Sequence, residues 1–206
     1  MAFKRNFIWF LLFGTLIGLN ETVIGGLKIP CHSVVLSSIT LLLLAIGRFR
    51  FPVKGSTLVI TAIALLFKMN SMGIRECTAP ALLCGPTALA MIGITFEIFA
   101  TLFIGRKQFA YPGYLITCAL TSLIVFGLFA VLQTFILQIW DTARCANYIL
   151  VRGPFTAAAS AALASIALIL AQSSAIYNIH RLNPYLKNSL LFTLIMALWI
   201  FGYFAG

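Results

Sequence analysis

Seven stretches of this chain run for close to twenty residues with almost no charge, and the gaps between them are too short to fold alone. They lie at about 7–29, 31–47, 56–74, 79–104, 113–139, 153–177 and 189–205. A helix needs about 20 apolar residues to cross a hydrocarbon core roughly 30 Å thick. In lipid, a helix is also the segment that can satisfy every backbone group from within itself. The pattern predicts an all-α fold, a polytopic transmembrane bundle of six to seven helices forming one domain over residues 1–206. The second run is short, so six spans with one re-entrant segment also fit. Hydrophobic residues fill 62% of positions and charged ones 9%, against about 25% charged in a soluble domain. Such a chain cannot cover a water-facing surface.

The first run follows Lys4 and Arg5 as a signal peptide would. It is longer than a signal core and ends without a small-x-small site, so it reads as an uncleaved first helix. The formal charge of +10 would suit a phosphate-binding surface, but the basic residues sit in the gaps, where membrane proteins keep cytoplasmic Lys and Arg. No nucleic-acid partner is expected. With the N-terminus in the cytoplasm, Lys4, Arg5, Arg48, Arg50, Lys54, Arg106, Lys107, Arg181 and Lys187 fall inside. Lys28, Arg75, Arg144 and Arg152 fall outside, and nine against four favours that orientation. No Gly-x-x-x-x-Gly-Lys-Ser/Thr loop is present; Lys54-Gly55-Ser56 lacks the preceding strand and glycine. Any uphill transport would draw on a partner or an ion gradient.

Charges inside a bilayer cost at least about 2.5–3.5 kcal/mol on insertion scales and mark functional positions. In the first helix Gly14, Gly18, Glu21 and Gly25 share one face, with Asn20 on the adjoining one. Gly14 and Gly18 would let another backbone approach closely. In the third, Thr61, Ala64, Lys68, Ser71 and Arg75 follow the same spacing. Lys68 and Glu21 count to similar depth, so an ion pair between them is the simplest expectation, either as a register-fixing contact or as part of a solute cavity. In the fourth, Pro86, Ala90, Gly93, Glu97 and Ala100 line one face. Glu97 counts to roughly 12 Å from the inner end with no basic residue obviously at its depth, which suggests a protonated carboxyl or one that answers a cation. The polar segment 68–76, and 77–86 with two prolines, suit a broken helix or a dipping loop, which survives at depth only beside protein or a cavity.

Cys31, Cys77, Cys84 and Cys145 map to the outer half and Cys118 nearer the inner side. An oxidising exterior would permit a disulfide among the first four; their spacing does not suit an iron–sulfur cluster. His32 and His180 read as interfacial or loop residues, and Asp141 beside Trp140 as an end anchor. No protease or hydrolase constellation is present, so neither enzyme activity nor a cofactor is expected. The alanines at 157, 161, 164, 171 and 175 make a smooth face, fit for close packing within the chain or for docking another membrane subunit.

In size, helix count, minimal loops, the small residues Gly14 and Gly18, the alanines from Ala157 to Ala171, and the Gly85-Pro86 step opening a helix, the whole chain resembles the substrate-binding S components of energy-coupling-factor (ECF) transporters. Where that family's first helix carries an alanine pair, this one carries glycines. The resemblance implies a bacterial inner-membrane protein that takes a small solute from outside and docks on a coupling subunit, with separate ATPases supplying energy. By depth, the expected solute-binding residues are Asn20, Glu21, Lys68, Asn70, Ser71, Arg75 and Glu97. Lys68 and Arg75 would attract an anionic or zwitterionic solute, and Glu97 would handle a positive group or a proton. The competing readings are a proton- or ion-coupled carrier acting alone, a non-catalytic subunit of a larger redox or membrane complex, and an intramembrane enzyme.

Overall fold

Two glycines decide which helices meet. At Gly14 a Cβ would fall 2.6 Å from the Cβ of Ile63 and 2.7 Å from the Ile60 carbonyl oxygen; at Gly18 it would fall 2.7 Å from the Cβ of Phe67. The first and third helices are therefore pressed backbone to side chain along the Gly-x-x-x-Gly face, as small residues permit in membranes. The computed structural model describes residues 2–26, 32–72, 79–104, 110–172 and 184–205. Its helices are α1 (Ala2–Gly26), α2 (His32–Arg50), α3 (Ser56–Met72), α4 (Ala79–Phe99), α5 (Ala110–Val131), α6 (Thr142–Asn147), α7 (Gly153–Gln172) and α8 (Pro184–Ala205). A π turn at Ala100–Ile104 extends α4, one at Leu132–Ile136 extends α5, and one at Tyr148–Arg152 fuses α6 to α7. Among the described residues there is no strand, and the fold is an all-α bundle.

Five segments are long and apolar enough to cross a membrane: Asn6–Gly25, His32–Arg50, Gly85–Ile104, Pro112–Ile136 and Thr142–Ile166. The short second run of the sequence is a helix long and apolar enough to span. Over their described residues α3 is apolar along Ser56–Asn70 and α8 along Asn188–Gly202. The sixth span starts earlier than its apolar run, because Asp141 caps α6 by accepting from the Arg144 amide at 2.6 Å, the end-anchor role its position suggested. Helix also runs unbroken through Gly85 and Pro86, against the expectation of a break there. A proline inside a membrane helix is tolerated where neighbouring helices re-satisfy the freed backbone. Residues 73–78 lie outside the described residues.

α3 packs against α1 on one side and α4 on the other, with α8 also in contact. Gly93 of α4 sits on the Thr61 side chain, and Gly202 of α8 lies against the Phe67 ring. Phe67 meets Trp199 edge-on at 5.2 Å, and the Trp199 indole N–H donates to Thr15 Oγ1 at 2.9 Å. The other half of the bundle is α5 on α7, and α7 on α2. Ser122 and Ser160 share a hydrogen bond at 3.1 Å across the α5–α7 seam. Ala157, Ser160, Ala164 and Leu168 are all buried. Of the alanine face, Ala157 and Ala164 thus pack within the chain, while Ala161 is half-buried.

Gly18→Ala is expected to lower the thermal midpoint in detergent by overpacking against Phe67, a cost of about 1–3 kcal/mol. Gly25→Ala would place its methyl an ordinary 3.7 Å from Lys68 Nζ and should leave the midpoint close to wild type. Equal effects of the two would contradict the α1–α3 packing.

Candidate functional site

Two groups of charged residues stand at opposite ends of α3. At the end where α3 begins, Glu97 of α4 is buried and engaged on every side. Arg48, in the last turn of α2, approaches Glu97 Oε1 with Nη1 at 3.5 Å. The Gly55 N–H donates to Oε1 at 2.7 Å, the Thr57 hydroxyl donates to Oε2, and the Thr101 hydroxyl approaches Oε1 at 3.4 Å. Gly55 has φ +82°, a left-handed backbone suited to glycine, which aims its amide at the carboxylate. The carboxylate thus caps the N-terminus of α3, where the helix dipole favours negative charge.

Arg48 completes the clamp by donating to the Val53 carbonyl and reaching Ser56 Oγ at 3.5 Å. Phe51 pins the same loop by packing its ring against Phe10 at 5.5 Å, Trp9 at 6.3 Å and Phe13 at 6.5 Å. The expectation that Glu97 lacks a basic neighbour is therefore corrected. The loop before α3 brings Gly55 and Thr57 to the level of Glu97. Arg48, assigned by its gap position to water, is buried at 5% exposure. It lies on the α2 face that carries the buried Leu41, Leu44 and Ala45, and that spacing is the signal that could have found it.

At the other end, Glu21 of α1 is buried and Lys68 of α3 is half-buried. The sequence suggested an ion pair between them; the structure brings them together with Lys68 Nζ donating to the Glu21 backbone carbonyl at 2.8 Å. Two glycines flank this lysine. A Cβ on Gly25 would sit 3.7 Å from Lys68 Nζ, and one on Gly85 would sit 3.7 Å from its Cε. The glycines at 14, 18, 93 and 202 are tightly covered by neighbours, whereas among the described residues these two leave methyl-sized room beside the lysine.

Asn20 is not turned to the same purpose; its Nδ2 donates to the Leu36 carbonyl of α2 at 3.3 Å. Asn70 is exposed near the end of α3. The Ser71 side chain and all of Arg75 lie outside the described residues, as do Cys31, Cys77 and the Cys84 side chain. Cys145 and Cys118 are free thiols, which removes Cys145 from the possible disulfides.

The fold and these buried charges define a class: a multi-pass α-helical membrane protein with ionisable side chains held between its helices. Comparison of the chain with protein-family models, with curated proteins and with solved structures finds no match in any of the three.

Removing one partner of a buried ion pair strands the other, at a cost of about 3–5 kcal/mol. Arg48→Met should therefore lower the thermal midpoint strongly. The double variant Arg48→Met with Glu97→Gln, which keeps an acceptor for Gly55, should recover part of the loss. An unchanged midpoint in Arg48→Met would refute the clamp.

Proposed function

We infer that the chain is a membrane transport protein that binds a small anionic or zwitterionic solute at the Lys68 end of the bundle. The observation that carries this is the Lys68 ammonium, held on the Glu21 carbonyl within the bundle, with methyl-sized room at Gly25 and Gly85 among the described residues. A lysine kept inside a membrane helix is a functional-site candidate by default. An ammonium next to a carboxyl offers one charge to each end of a zwitterion.

The resemblance to ECF S components supplies the rest of the reading: a bacterial inner membrane, an N-terminus in the cytoplasm, a solute entering from outside, and partner subunits with ATPases for energy. Because Ala157 and Ala164 are buried within the chain, such partners would meet the outward face of α7, where Ala158 and Ala162 are exposed. A carrier that works alone by titrating Glu97 has less support, since Arg48 and three hydrogen-bond donors already occupy that carboxylate.

Native mass spectrometry of the gently solubilised protein from its own host tests the reading. The expected spectrum contains one bound small organic mass and associated ATPase subunits, and Lys68→Met loses the small mass while keeping its fold. A protein that carries no solute, or a coloured complex with redox partners, would overturn it.

A further inference from the structure

The reversal between α5 and α6 carries a second cluster that solute binding does not use. After the π turn at Leu132–Ile136, the amides of Ile139 and Trp140 fold back on the Gln133 carbonyl at 2.9 and 3.3 Å. Gln138 takes φ +53° there. This fold-back stacks four rings from both sides of the reversal. Phe126 lies parallel to Tyr148 at 4.9 Å, Tyr148 meets Trp140 at 4.7 Å, and Phe129 packs edge-on to Trp140 at 5.7 Å. Two cations rest on the stack: the Arg144 guanidinium 4.8 Å from the Trp140 ring centre, and the Arg152 guanidinium 5.4 Å from that of Tyr148. Arg152 also reaches Ser33 Oγ of α2 at 3.5 Å.

Among the described residues no carboxylate pairs with either guanidinium. Asp141, the acid nearest in sequence, serves as the cap of α6. Arg144 is exposed and Arg152 half-buried, so both present donors outward. Around them the surface is apolar and open to lipid: Ile136 is 69% exposed, Leu150 73% and Phe155 64%. Trp and Tyr with snorkelling Arg mark the headgroup level of a bilayer, and a planar guanidinium matches phosphate better than a point charge does.

We propose that Arg144 and Arg152, set on the Trp140–Tyr148 ring stack, form a binding site for the phosphate headgroup of an anionic phospholipid. The acyl chains of that lipid lie along Ile136, Leu150 and Phe155. Charge complementarity selects the headgroup, since among the described residues no carboxylate answers the two cations, and the exposed apolar side chains below require an occupant with tails rather than a free anion.

The test uses Trp140 as a local reporter, with Trp9→Phe and Trp199→Phe removing the other tryptophans. The protein is placed in phosphatidylcholine vesicles containing a minor fraction of brominated phosphatidylglycerol. Quenching of Trp140 should exceed that from the same fraction of brominated phosphatidylcholine, corresponding to an enrichment of up to about thirtyfold, the scale set by two basic side chains at a membrane surface. Arg144→Gln with Arg152→Gln should abolish the preference, and Arg144→Lys with Arg152→Lys should retain much of it. Equal quenching by the two brominated lipids, or a preference that survives the glutamine pair, would overturn the proposal. So would loss of the preference on adding millimolar inorganic phosphate, which would identify a soluble anion as the occupant.

Discussion

A charged side chain inside a bilayer must be answered by another group, and α3 is the helix on which this constraint falls most heavily. At its beginning, the Arg48–Glu97 pair and the Gly55 and Thr57 donors supply the answering groups. Near its far end, Lys68 rests on the carbonyl of Glu21. Between these points the contact is made by size alone, with Gly14 and Gly18 of α1 on one side and Gly93 of α4 on the other.

This arrangement separates two roles that one class of residue, the intramembrane charge, could have filled interchangeably. The Glu97 carboxylate has its hydrogen-bonding capacity taken up by the protein, so it fixes the loop from Phe51 to Gly55 and the entry of α3. The Lys68 ammonium donates to the Glu21 carbonyl, and among the described residues a methyl would fit at both Gly25 and Gly85 beside it. The Arg144–Arg152 cluster lies at the Lys68 end as well, since Arg152 reaches Ser33 at the start of the same helix whose Leu36 bonds Asn20.

The helices and the Glu21–Lys68 meeting were legible in the sequence because both follow from spacing along single helices: a run of about twenty apolar residues, and small or polar residues three or four apart. The identity of the partner of Glu97 was not, because it depends on how far the Phe51–Gly55 loop enters the bundle, which is a tertiary fact. Arg48 was misassigned for the same reason. A basic residue beside a gap normally goes to water, and only its register with Leu41, Leu44 and Ala45 hints otherwise. The alanines of α7 could serve either an internal or an external partner. Which of the two they met depended on Ser122 of α5 facing Ser160, a pairing across 38 residues that no local pattern contains.

The account turns on Lys68 being the ligand-binding charge and Glu97 a structural one, and thermal shift with a panel of small carboxylates, amino acids and neutral analogues separates the two most directly. A ligand at a hundred times its Kd stabilises a folded protein by about 2.7 kcal/mol. Wild type and the Arg48→Met, Glu97→Gln pair should both be stabilised by the same carboxylate-bearing solute, the latter from a lower starting midpoint. Lys68→Met should keep a near-normal midpoint and show no shift. A solute that stabilises Lys68→Met as well as it does wild type would contradict the assignment.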